Sequence, residues 1–116
     1  MMQLPEFDSI RATVQTAIDQ GRLGEPRFLR CIANAKSAIE INDSMAKLIS
    51  LGESWFGSPV GQNHRIGNDS GIYMSVMLKW NGGQCALVSV TAVPNISFPN
   101  FDLMLIGSRG TLYHEI

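Results

Sequence analysis

The stretch GIYMSVMLKWNGGQCALVSVTAV, residues 71–93, decides the fold. Up to Trp80 it alternates. Ile72, Met74, Val76, Leu78 and Trp80 fall on one side, and Tyr73, Ser75, Met77 and Lys79 on the other. A period of two marks a β-strand, because successive side chains leave the pleated backbone on opposite faces. Asn81-Gly82-Gly83 follows, three residues that tolerate positive φ and close a tight hairpin. The return strand, 84–93, sets Cys85, Leu87, Ser89 and Thr91 against Ala86, Val88, Val90 and Ala92.

Outward from this hairpin, residues 94–99 read as a loop. Residues 101–106 form a strand, Gly107-Ser108-Arg109-Gly110 a turn, and 111–115 a last strand. On the N-terminal side, Ile10, Val14, Ala17 and Ile18 recur at helical spacing, which predicts an amphipathic helix over 8–20, capped by Asp8 or Ser9 and stopped by Gly21. Residues 27–34 read as a strand. A second helix is expected over 43–56, capped by Asp43 or Asn42, with Met45, Leu48, Ile49, Gly52 and Trp55-Phe56 inward and Gly57-Ser58-Pro59 ending it. A short edge strand fits Val60–Ile66. The expected class is α+β: one domain over 1–116, with a mainly antiparallel open sheet of about five strands and two helices on one face.

Two helices cover one face of such a sheet. Here both faces carry apolar residues, so Tyr73, Met77 and Met104 are expected on a semi-apolar face that a monomer leaves open. Faces of that kind mark association surfaces, and a homodimer is the expectation.

Composition narrows the function. The chain has 116 residues, 45% hydrophobic and 16% charged, with net charge -1 and no block of lysines or arginines, so its sequence carries no electrostatic footprint of the kind that nucleic acids or membrane surfaces require. No apolar run reaches the ~18 residues of a membrane helix. The first residues lack the features of a secretory signal, so a cytoplasmic protein is expected. Cys31 and Cys85 lie in strand-like runs without metal-type spacing and read as buried, reduced thiols, with a disulfide as the alternative. His64 and His114 are far apart and no cysteine cluster accompanies them, so no metal is expected. His64 with Arg65 is a candidate contact for an anionic ligand, against the plainer reading of a surface loop. Trp55 and Trp80 read as core or interface anchors. No G-x-G-x-x-G enters a helix after a strand anywhere in the chain.

Three segments together resemble the C-terminal domain of the Gfo/Idh/MocA oxidoreductases. They are Asp19-Gln20-Gly21-Arg22-Leu23-Gly24-Glu25-Pro26-Arg27-Phe28, the helix exit Trp55-Phe56-Gly57-Ser58-Pro59-Val60, and the hairpin Val76–Ala86 with the later Leu103–Leu112, which holds Gly107-Ser108-Arg109-Gly110-Thr111-Leu112. The resemblance implies an open sheet that supplies substrate contacts and oligomer interfaces in enzymes oxidising or reducing sugars, inositols and related polyols. It also implies NAD or NADP carried on a separate Rossmann domain, so this chain alone is expected to bind no cofactor. The family's catalytic helix carries Asp, then His four residues on, then Asp three further on. The matching positions are Asp43, Lys47 and Ser50, of which only the first agrees. The linker 36–42 is short for a substrate-lining loop, and typical members continue well past Leu112.

The expected function is therefore a non-catalytic domain for self-association or for binding a partner or small ligand. The alternative is the substrate-side half of an NAD(P)-dependent sugar or polyol dehydrogenase, completed by a separate Rossmann chain or itself a fragment of such an enzyme. A third reading is an unrelated helix-plus-sheet domain holding a small ligand in its cleft.

Overall fold

A computed structural model describes residues 6–67, 73–93 and 101–115. The order is α1 (Glu6–Asp19), β1 (Pro26–Ala35), a short 3-10 turn (Ala38–Glu40), α2 (Ile41–Phe56), β2 (Gln62–Gly67), β3 (Tyr73–Lys79), β4 (Cys85–Ala92), β5 (Phe101–Gly107) and β6 (Thr111–Glu115). The strands form one sheet in the order β2-β3-β4-β1-β5-β6, six rather than about five. All pairings are antiparallel except β1 with β4. The loop expected over 94–99 and the first two hairpin residues lie outside the described residues.

The register aligns apolar rows toward the helices. One row crosses five strands through Leu78, Ala86, Leu29, Leu105 and Leu112; the next runs Val76, Val88, Cys31 and Leu103. Ile10, Val14 and Ala17 of α1 and Met45, Leu48, Leu51 and Trp55 of α2 close over these rows in one buried cluster. Gly52 lets α2 approach the sheet closely: a Cβ there would stand 3.3 Å from Leu29 Cδ2 and 3.4 Å from the Trp80 ring.

Both helices begin earlier than their sequence signals suggest. α1 already includes Asp8 and Ser9, and α2 is entered through the 3-10 turn, with Glu40 at the N-cap position. Asp43 and Asn42 therefore lie inside the first turn and are not the cap. A carboxylate at position 43 still meets the positive end of the helix dipole favourably. Ser44 is buried and donates its hydroxyl to Glu40 O at 2.9 Å.

The resembling segments dock on one another in pairs. After α1, Gly21 and Gly24 adopt positive φ (74° and 72°) and carry the chain into β1. There Leu23 O accepts the Arg109 amide at 2.8 Å, Glu25 O accepts the Ser108 amide at 2.9 Å, and Ser108 Oγ accepts the Glu25 amide at 3.0 Å. Gly107 sits so close to Leu23 O that a side chain there would collide with that carbonyl. At the other end, Gly57 closes α2 in the left-handed conformation, φ 78°, and Glu53 Oε2 accepts the Val60 amide at 2.9 Å. Trp80 Nε1 donates to Ser58 O at 2.8 Å, and the Trp80 and Phe56 rings meet edge-to-face at 4.6 Å. Trp55 and Trp80 are thus core anchors.

Candidate functional site: the open sheet face and the outer side of α2

Alternation dictates what the second sheet face carries. Its central row is His64, Met77, Leu87, Arg30, Met104 and Tyr113, one residue from each strand. Beside it run Ile66, Ser75, Ser89, Ile32 and Asp102, with Ser75 and Ser89 hydroxyls 2.8 Å apart. Among the described residues no helix covers this side. Ile32 is 44% exposed, Met77 41% and Tyr73 37%, while Leu87, Met104 and Ile106 are half-buried among their neighbours. The result is a broad, semi-apolar surface on which Met77, Leu87, Ile32 and Met104 are interspersed with the polar His64, Ser75, Ser89, Arg30 and Asp102.

Asp43, Lys47 and Ser50 follow helical spacing on the side of α2 opposite Met45, Leu48 and Gly52. Asp43 and Lys47 are half-buried and Ser50 is exposed. An imidazole at position 47 would exchange protons near neutral pH; an ammonium does so only with a strongly lowered pKa.

His64 and Arg65 are consecutive strand residues and so face opposite ways. His64 pairs with Met77 on the open face, in a recess of about 240 Å³ shared with Gln62, Asn63 and Lys79. Arg65 pairs with Val76 and turns to the helix side, where its Nη1 lies 3.9 Å from Met74 Sδ. There it borders a groove of about 420 Å³ with Asn42, Met45, Ala46 and Ile49 of α2. The two residues do not converge on one ligand. The groove itself was invisible in the sequence, because only strand pairing brings Arg65 against α2.

The thiols also face opposite ways. Cys31 is fully buried under the helices, and burial pushes its pKa up to about 12. Cys85 is half-buried on the open face rather than fully buried, and both thiols are free. The His114 side chain lies outside the described ones. Among the described residues no three metal-ligating side chains come together, and no helix is long and apolar enough to cross a membrane.

A dinucleotide needs a helix N-terminus with unobstructed amides for its pyrophosphate. The start of α2 instead carries Glu40 and Asp43, and Gly57, Gly61 and Gly67 sit at a helix end and around β2. The negative charges of Glu40 and Asp43 would oppose a pyrophosphate at the start of α2.

This architecture, an open sheet with two helices on one side, is found in solved dehydrogenases. A probable dehydrogenase from Thermotoga maritima superposes with a TM-score of 0.76 over 95% of this chain and 39% of that one, at 14% identity. A putative myo-inositol dehydrogenase from Sinorhizobium meliloti 1021 gives 0.72 over 96% and 38%, at 19% identity. The apo scyllo-inositol dehydrogenase from Lactobacillus casei gives 0.74 over 94% and 38%, at 14% identity. The chain thus spans about two-fifths of the length of these enzymes, and at such identities the likeness is one of fold. No family model and no curated protein matches the sequence.

Proposed function

We propose that this chain is an assembly domain of the Gfo/Idh/MocA C-terminal type, which self-associates through its open sheet face and supplies no redox chemistry of its own. One observation carries the proposal: a six-stranded sheet whose uncovered side presents Ile32, Tyr73 and Met77 at 37–44% exposure around half-buried Leu87 and Met104. Burying such a face stabilises a complex by roughly 25 cal/mol per Å² of apolar area, before the cost of association is deducted. Lysine and serine at positions 47 and 50, where the resembling pattern has histidine and aspartate, support a role without acid–base catalysis. Sedimentation velocity at tens of micromolar tests the association. The expected particle has about twice the 12.7 kDa chain mass, and Met77→Asp returns it to the monomer. A wild-type chain that sediments as a monomer throughout refutes the proposal.

A second reading has its own support in the fold of whole inositol dehydrogenases, of which this architecture is about two-fifths. In that reading the domain serves as the substrate side of an NAD(P)-dependent enzyme whose Rossmann part is a separate polypeptide segment. Dinucleotide reduction with a polyol, appearing only when such a segment is added, is its signature.

A further inference from the structure

Two half-buried opposite charges stand on the open face without a partner among the described residues. Arg30 occupies its middle, with Leu87 on one side and Met104 on the other. Asp102 lies one strand over and one row along, beside Ile32. Both are half-buried, and neither has a hydrogen-bond or ion-pair partner among the described residues. Diagonal neighbours on an antiparallel pair are about 7–8 Å apart, so the two side chains stand near one another without meeting.

These charges restrict what can cover the face. A purely apolar partner would strip both of water and leave them unpaired, which contact area does not offset. A partner must place a carboxylate over Arg30 and a cation over Asp102. A second copy of this chain meets both demands. In an isologous pair the two-fold axis lies in the plane between the packed sheets, and the same patch meets itself. When that axis bisects the Arg30–Asp102 diagonal at right angles, each Arg30 falls over Asp102 of the second copy, twice in one interface. Arg30, Ile32, Asp102 and Met104 form a nearly square quartet, about 6.6 Å along the strands and about 5 Å across them. The axis therefore runs along the other diagonal, so that Ile32 packs on Ile32 and Met104 on Met104. A long guanidinium facing a short carboxylate suits sheets packed about 10 Å apart.

We infer that the chain forms a two-fold homodimer whose register is set by reciprocal Arg30–Asp102 ion pairs around an apolar centre of Ile32 and Met104. This rests on the self-association proposed above and adds its geometry. The test is sedimentation equilibrium of the full chain carrying Arg30→Asp, Asp102→Arg or both, with circular dichroism to check folding. Each single reversal brings like charges together and is expected to weaken the dimer roughly 30-fold or more. The double reversal is expected to restore it to within about threefold of wild type, as re-formed charge pairs should. Where a reversal impairs folding, Arg30→Gln and Asp102→Asn provide the same cycle with the charges removed and polar groups kept; a coupling of about fivefold or more supports the register. Strictly additive effects, or a dimer indifferent to both reversals, overturn this register while self-association stands. A wild-type chain that never dimerises overturns both.

Discussion

Replacing Gly107 by alanine strikes the clasp between the end of α1 and the β5–β6 turn. A Cβ at 107 would collide with Leu23 O, which accepts the Arg109 amide. Leu23 is itself buried, so its backbone has little room to retreat outward. Moving it loosens three hydrogen bonds: Arg109 N–H to Leu23 O, Ser108 N–H to Glu25 O, and Glu25 N–H to Ser108 Oγ. At about 1 kcal/mol net each, the loss is about 3 kcal/mol, a large share of the 5–15 kcal/mol typical of a domain. In a chain of this size that lowers Tm by about 12 °C. Ser108→Ala removes only the hydroxyl acceptor and costs about 1 kcal/mol. Gly83→Ala is the control: φ there is 95° but no atom crowds the new methyl, so only the backbone conformation opposes it, at about 1–3 kcal/mol. Urea titrations of the three variants supply the comparison. A Gly107→Ala protein within about 1 kcal/mol of wild type, with unchanged cooperativity, would show that the clasp does not hold α1 to the sheet.

Further outcomes follow from named contacts. Trp80→Phe forfeits the indole bond to Ser58 O and part of the packing on Gly52, for an expected loss of about 1–2 kcal/mol in urea denaturation. Under native conditions at pH 8, iodoacetamide is expected to alkylate Cys85 and spare Cys31 until the chain unfolds, as peptide mass spectrometry would show. Burial raises the Cys31 pKa from 9.0 to about 12, so above pH 9 the unfolded chain releases a proton that the folded chain retains. Stability on this account is full below pH 9 and falls by about 1.4 kcal/mol per pH unit toward pH 12. Cys31→Ala is expected to flatten that slope relative to wild type in denaturation curves taken at pH 8 and 10.

Local pattern carried much of the fold. The alternation from Tyr73 to Ala92 placed Met77 and Tyr73 on one side and Val76, Leu78, Val88 and Val90 on the other, as the register now shows. Long-range pairing was not legible. β1 lies at the middle of the sheet, parallel to β4 and antiparallel to β5, and nothing in residues 27–34 distinguishes that place from an edge. The N-caps misled for a physical reason. Asn42 and Asp43 are preferred capping types, yet the 3-10 turn at 38–40 lets α2 begin earlier, behind a glutamate that makes no side-chain cap bond. Arg65 shows the same gap at the candidate site. Its neighbour His64 is adjacent in sequence but faces the other way, and Arg65 meets α2 only because β2 pairs with β3 in one register. Arg30 and Asp102, 72 positions apart, become diagonal neighbours only through the β1–β5 pairing.

Hydroxyl-radical footprinting across a protein dilution series tests most directly which surface the copies share. Met77, Met104 and Tyr113 lie on the open face, whereas Met45 is buried under α2 and Trp80 behind the hairpin. The expected result is oxidation of Met77 and Tyr113 at low concentration, suppressed severalfold as the dimer forms, with Met45 and Trp80 unaffected throughout. Equal oxidation of Met77 and Tyr113 in dilute monomer and concentrated dimer would contradict the open face as the meeting surface.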